Sequence, residues 1–396
     1  MPTKNKLQPA AVAESTLASW LMIIISALLC LGALMVFSAG ANVTQQLDLK
    51  EFWRFTTLKR LFFVPIVWLI LALVSRLNYR KWVVNQDHPL RSPVFWLMGL
   101  SLIMLVLVLI PGIGTEINGS RRWMKFGPPQ YNITFQPSEL AKWVSVMFLA
   151  AYVVWRGDKI RQFWRGFLPG CLVLMLVVAL IGKEDFGTAA VIAAVGAVVL
   201  LVGGVKWWHL LNLVPAAAAA FYFLVVRVPY RWVRLVAHWQ QNNPDSNLAE
   251  KYHAQQSITA IGSGGLWGLG LGGGTMKYGY VPEDTSDFIF APIGEELGFI
   301  GCALVIVLYT LLLFCCMLVL NRTQNKLGVL LVTAIAGMIG TQALINLMVV
   351  SGLAPTKGIA LPFVSIGGSG LVMTALAAGV LINVARQGNH PVAAPP

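Results

Sequence analysis

Long apolar runs cut by short charged loops set the pattern of this chain. A helix needs about 20 apolar residues to cross a bilayer core. Scanning for that length gives ten runs, at 17–39, 60–75, 94–111, 138–155, 166–182, 187–204, 208–226, 287–320, 327–351 and 368–386. The pattern predicts an all-α integral membrane protein of ten transmembrane helices. The eighth run is long, which predicts a tilt or a start outside the lipid. The first follows Lys4 and Lys6 and precedes Ala39-Gly40-Ala41, a stretch similar to a signal-peptidase site. A cleaved signal has an apolar core of about 7–15 residues. This run is longer, so it reads as a retained helix.

An even number of crossings puts both termini on one side. One set of loops carries Arg76, Arg80, Lys81, Arg91, Arg156, Lys159, Arg161, Arg165, Arg322 and Lys326. The other set is also basic, so the charge count is nearly balanced. However, it holds most of the carboxylates, including Glu116, Asp185, Asp245, Glu283 and Asp287. Short basic loops stay inside, whereas long segments translocate largely regardless of charge. The tails 1–16 and 387–396 are therefore expected in the cytoplasm, and the acidic loops outside. The membrane domain spans 17–386, with one large extracytoplasmic segment, 227–286, between the seventh and eighth helices. The tail after Arg386, with its prolines, reads as disordered.

Composition narrows the class. Of 396 residues, 57% are hydrophobic and 11% charged, which excludes disorder and an ordinary soluble enzyme. The net charge of +13 does not point to nucleic acid, because the basic residues lie in short loops between apolar runs. The five cysteines all fall inside apolar runs, without zinc or redox spacing.

The chemistry gathers in the outer loops. Glu283, Asp284 and Asp287 lead into an apolar run that still holds Glu295 and Glu296. Ionised groups lose hydration there, so such a cluster marks a working site. Asp287 follows Thr285 and Ser286, natural helix caps, and a carboxylate at a helix start stays ionised. In a dry pocket it can accept a proton from a sugar hydroxyl; it can equally do no more than cap the helix. Glu295 and Glu296 point about 100° apart on a helix, so at least one faces the bundle interior or a water-filled cavity.

Arg121, Arg122 and Lys125 stand beside Trp123 and Phe126, a cationic loop suited to phosphate or to plain headgroup contact. Pro137-Ser138-Glu139 reads as a helix start, and Glu139 and Lys142 share one face, as a cavity wall or a structural ion pair. Asp185 reads as the start of the next helix. Lys357 lies in irregular backbone between Pro355 and Gly358, a lone cation suited to an anionic group or to snorkelling from the interface. In 227–286, Trp232, Leu235, Val236 and Trp239 form a helical stripe with Arg231, Arg234 and His238 off it. That helix can lie in the headgroup layer or pack, solvated, on the bundle. Asn242-Asn243-Pro244-Asp245 ends it. The glycine-rich 261–274 contains a G-x-G-x-x-G spacing but no βαβ unit around it, so it reads as backbone able to bend sharply or approach a ligand, or as a flexible loop.

Five segments together resemble one family: NGSRRW with FQPSELAK, EDFGTA, QQSITAIGSGGLWGLGLGGG, EDTSDFIFAPIGEELGFIG and PTKGIALPFVSIGGSGL. They are similar to the signature stretches of the SEDS proteins (shape, elongation, division and sporulation), ten-span peptidoglycan glycosyltransferases. The double arginine of NGSRRW, the phenylalanine of EDFGT and the lysine of PTKG are most like the FtsW cell-division branch. Ser286, Ile366 and Gly370 depart from the usual threonine, tyrosine and serine.

The resemblance implies polymerisation of lipid II into glycan strands at the outer face of the plasma (inner) membrane. It implies Asp287 as the catalytic residue. Arg121, Arg122, Lys125, Glu139, Lys142, Lys357, Glu295 and Glu296 are the substrate-binding candidates around it. No cofactor and no protein metal site is expected, although a pyrophosphate substrate can bring a divalent ion. The implied partners are a class B penicillin-binding protein transpeptidase with one membrane span and other divisome proteins. The rival readings are a lipid II flippase or transporter, a RodA-type elongation polymerase, and a scaffold that only recruits division proteins.

Overall fold

The computed structural model describes residues 9–40, 56–82, 91–117, 120–126, 133–239, 248–274, 287–365 and 368–387. The helices are α1 (Pro9–Gly40), α2 (Thr56–Val74), α3 (Pro93–Leu109), α4 (Pro137–Arg156), α5 (Leu168–Glu184), α6 (Phe186–Val202), α7 (Trp207–Leu211), α8 (Val214–Phe221), α9 (Pro229–Trp239), α10 (Leu248–Ser263), α11 (Phe290–Arg322), α12 (Lys326–Val350) and α13 (Gly368–Gln387). A helix therefore lies in every apolar run. Seven helical segments are long and apolar enough to cross a membrane, and Val64–Val74, Pro93–Leu109 and Phe186–Val202 are shorter apolar helices. The chain is a multi-pass helical membrane protein.

Prolines open α3 and α4 at the first turn, where the missing N–H costs nothing. The bundle is built around α4, which packs on α3, α6, α12 and α13. Most of α4 is buried, and α12 carries a continuous buried face from Leu327 to Val350. At the other extreme, Trp207–Val226 is exposed almost throughout, as a lipid-facing segment would be. It is not one straight helix. Pro215 cannot continue α7, so the run breaks into α7, α8 and a π turn at Tyr222–Val226.

The length of the eighth run has a different explanation from simple tilt. α11 has 33 residues but is two helices joined at Gly298, whose φ of 65° and ψ of −161° are not helical. Before the kink, Phe290 to Glu296 are all buried; just after it, Phe299 and Ile300 face outward. A side chain at Gly298 would overlap the backbone of Gly268. The glycine-rich segment presses on this kink: Leu269 N donates to Glu295 O and Gly270 N to Glu296 O, each at 3.0 Å, and Phe299 N donates to Gly265 O at 2.9 Å. The close approach expected of those glycines is made to the protein itself.

The loop holding the double arginine is not irregular. It forms a three-stranded antiparallel sheet of β1 (Gly114–Ile117), β2 (Ser120–Phe126) and β3 (Ile133–Phe135), in the order β1-β2-β3. Thr115 pairs with Trp123, and Lys125 with Thr134. The sheet packs on α3, α4, α5 and α13. In 227–286, α9 and α10 are the described helices. Glu283, Asp284, Thr285, Ser286, Ile366, Asn242 to Asp245 and the tails 1–8 and 388–396 lie outside the described residues.

Candidate functional site

Chain topology gathers one set of helix ends: the starts of α4, α6, α11 and α13 and the ends of α5 and α12. The sheet and the 351–365 loop sit there too. Asp287 opens a turn, 287–289, just before α11 rather than lying inside the helix. It is half-buried, and its backbone carbonyl accepts from Asn346 Nδ2 at 2.7 Å. The same Nδ2 donates to Ile359 O at 2.7 Å. A side chain at Gly358 would overlap Asp287 Oδ2, so the carboxylate lies flush against the loop that carries Lys357. That loop is tightly held. Tyr309 Oη donates to Pro362 O, and buried Phe363 sits at φ 67°. This conformation costs a non-glycine residue roughly 1–3 kcal/mol.

Lys357 is not a lone cation. Its Nζ is 3.0 Å from Asp185 Oδ1, and its stem crosses Gly187, where any side chain would overlap it. Arg122 Nη1 approaches Asp185 Oδ2 at 3.6 Å. Asp185 does begin α6 as the sequence suggests, accepting from Thr188 N at 3.2 Å and Thr188 Oγ1 at 2.8 Å. It also joins three segments through two cations. Burial pushes the Asp185 carboxyl up, but Lys357, Arg122 and the hydrogen bond from Thr188 N outweigh it and hold the group below the usual carboxylate value. Arg122 Nη2 donates to Glu184 O, and its Nε is buried without a hydrogen-bond partner. Arg121 N donates to Glu184 Oε2 at 3.1 Å, and its Nε to Glu116 Oε2 at 3.2 Å. A cavity of about 20 Å³, room for about one water, lies among Arg121, Arg122, Ser138, Glu184 and Asp185. Lys125 is exposed on β2.

The Glu139–Lys142 pair forms as its spacing predicts, at 2.7 Å, with Lys142 almost wholly buried. Lys142 Nζ also reaches Gln342 Oε1 at 3.3 Å. Glu139 Oε2 lies 3.1 Å from where a side chain at Gly370 would begin, so the serine expected at that position would crowd it. Glu295 and Glu296 sit in the first turns of α11, before the kink. Both are buried, at 1% and 2% exposure. Glu296 Oε2 accepts from Ser38 Oγ of α1 at 2.5 Å, and Gly272 N donates to the same Oγ at 2.9 Å. A side chain at Gly274 would lie 2.7 Å from Glu295 Oε2. Arg231, expected off the apolar stripe, donates instead to Gly182 O, Leu224 O and Lys183 O, tying α9 to the end of α5. Trp232 and Trp239 are exposed.

Sequence reasoning missed Asp185 as a hub, and it missed Gln342 and Asn346. The signal for the last two was there: two amides four residues apart in an otherwise apolar run share one helix face and need partners.

These features define a polytopic helical membrane protein with a cluster of carboxylates and cations gathered at one end of its bundle. The chain belongs to the FtsW/RodA/SpoVE family, described as cell cycle proteins, whose profile matches residues 19–390. It is 37% identical over 379 residues to the probable peptidoglycan glycosyltransferase FtsW of Trichlorobacter lovleyi, covering 95% of this chain and 94% of that one. It is 35% identical to the stage V sporulation protein E of Bacillus subtilis, covering 93% and 97%. Among solved structures, it matches a chain from work on the structural coordination of polymerization and crosslinking by a peptidoglycan synthase complex. That match has TM-score 0.72 and 28% identity, covering 94% of this chain and 98% of that one. Thermus thermophilus rod shape determining protein RodA matches with TM-score 0.64 and 27% identity, covering 94% and 97%.

Proposed function

We propose that this chain polymerises lipid II into glycan strands at the outer face of the plasma membrane, for septal wall synthesis. It is an enzyme, a glycosyltransferase acting on peptidoglycan; its family and its FtsW-named relatives support that class. One observation carries the site assignment. Asp287 lies against the Lys357 loop, and Lys357 reaches Asp185 and, through it, Arg122.

Asp287 accepts the proton of the acceptor sugar's 4-hydroxyl. The freed oxygen attacks the anomeric carbon of the lipid-linked sugar. The bond from that carbon to the pyrophosphate oxygen breaks, the lipid pyrophosphate leaves with the electron pair, and the α linkage inverts to β. Lys357 and Arg122, two cations sharing one carboxylate, meet the leaving charge in a low-dielectric site. Arg121 and Lys125 extend the cationic rim, and the Glu139–Lys142 pair stands at the start of α4 beside it. A divalent ion, where the pyrophosphate carries one, arrives with the substrate.

The same proposal includes ten crossings within 17–386, supported by the seven long helices and three shorter ones. It places both tails in the cytoplasm and 227–286 and Asp287 outside. It also includes a class B penicillin-binding protein partner within the divisome, supported by the likeness to a chain from a peptidoglycan synthase complex. Purified Asp287→Asn protein should insert normally and make no glycan from lipid II on a gel; full activity would remove Asp287 from the chemistry. An elongation role is the second reading, favoured by the likeness to RodA. A fluorescent fusion that follows the side wall and not the septum would replace the division assignment with it.

A further inference from the structure

Asn346 lies one turn beyond Gln342 on α12 and is 1% exposed. Its two hydrogen bonds run to carbonyl oxygens, of Asp287 and Ile359. Only the amino end of an amide can meet two carbonyls, so its partners fix which way the side chain points. That leaves Oδ1 buried without a hydrogen-bond partner. An apolar side chain of similar size would fill the space without burying an unpaired oxygen, so packing alone does not account for the amide. The two carbonyls belong to separate segments: the turn that presents Asp287 and the loop that presents Lys357.

We propose that Asn346 is the positioning residue that sets the separation between the Asp287 carboxylate and the Lys357 ammonium, by clamping the Asp287 and Ile359 carbonyls with one amide group. The consequence for the reaction rests on the reading of Asp287 and Lys357 given above. The clamp itself does not, and it can be measured alone.

A crosslink reads the geometry. In the full chain with its five native cysteines replaced, Asp287→Cys and Gly358→Cys are introduced. A side chain at 358 would overlap the Asp287 carboxylate, which puts the two sulfurs within disulfide reach. Oxidation should link them while Asn346 is present, and Asn346→Leu should cut the linked fraction severalfold. Asn346→Asp keeps the size but offers at most one donor, so it cannot hold both carbonyls, and it serves if the leucine variant does not solubilise as a single species. An undiminished crosslink in a correctly inserted variant overturns the proposal.

A second assay reads the chemistry, with Asp287 and Gly358 intact. Glycan synthesis from lipid II by Asn346→Leu should lose on the order of 10²-fold in kcat with KM unchanged, as a misplacement of about 1 Å can do. A lost crosslink with unchanged kcat supports the clamp and overturns the assignment of Asp287 and Lys357 to the reaction.

Discussion

α11 begins between two acidic sites that are built in opposite ways. Before it, Asp287 and its neighbour Asp185 are held by side chains and loops from separate segments: Lys357, Arg122 and Asn346. Within its first turns, Glu295 and Glu296 are wrapped by glycine backbone and by Ser38, and the glycine-rich segment is hydrogen-bonded to the helix's own backbone. Side chains can exchange one anion for another as a substrate arrives. Backbone bonded into a kink cannot move without undoing the kink. A buried carboxylate in a membrane protein is therefore not a working group by its presence alone; what covers it decides.

Neutralising each site in turn tests that contrast most strongly. Asp287→Asn should cost about 10²–10⁴-fold in glycan synthesis, the scale of a lost general base, with Tm near wild type. Glu296→Gln keeps an acceptor for Ser38 and should retain kcat while losing about 1 kcal/mol of stability, as a charge-assisted bond becomes a neutral one. Equal losses of activity at unchanged Tm would erase the distinction.

Lys357→Ala comes next. Removing one partner of a fully buried ion pair costs about 3–5 kcal/mol. Lys357 is 28% exposed and Arg122 remains beside Asp185, so the loss should be smaller than that. The double variant Lys357→Ala with Asp185→Asn, which keeps the cap of α6 and leaves no charge there for Lys357 to match, should recover part of that stability but not glycan synthesis. Recovery of both would make the cluster purely structural.

On the other side of the comparison, Gly298→Ala should destabilise by at least roughly 1–3 kcal/mol, because φ 65° is strained for alanine and its Cβ would meet the Gly268 backbone. Thermal unfolding in detergent reads this, and the surviving folded fraction should keep its kcat. A fall in kcat without a fall in Tm would mean the kink belongs to the site.

The contrast also explains what the sequence could reveal. Apolar length placed a helix in each run, because backbone in lipid has few ways to satisfy its hydrogen bonds. Helical spacing gave the Glu139–Lys142 pair, a local contact. The Lys357–Asp185 bond joins residues far apart in the chain, and no spacing rule reaches that far. The Gly298 kink was hidden because one glycine in a long apolar run looks like any other until the glycine-rich segment packs on it. The sheet around Arg121 was missed because its charged strand was read for its cations and not for its pairing.

The smallest expected effect is an absence of change, and it tests how Asp185 is held. Its folded carboxyl lies below the ordinary value of 3.8: burial pushes it up, but Lys357, Arg122 and the hydrogen bond from Thr188 N outweigh that penalty. A depressed carboxylate contributes stability that is fully present above its unfolded pKa and is lost as pH falls through its folded pKa. Asp185→Asn keeps an acceptor for the start of α6 and removes the charge. The stability difference between wild type and this variant should therefore stay flat from about pH 7 to 5 and shrink only below about pH 4. A wild type that gains stability over this variant as pH falls from 7 to 5 would mean that burial wins over the two cations. Asp185 would then be a buried acid that the protein tolerates, and the cations beside it would be available to an anion without competition.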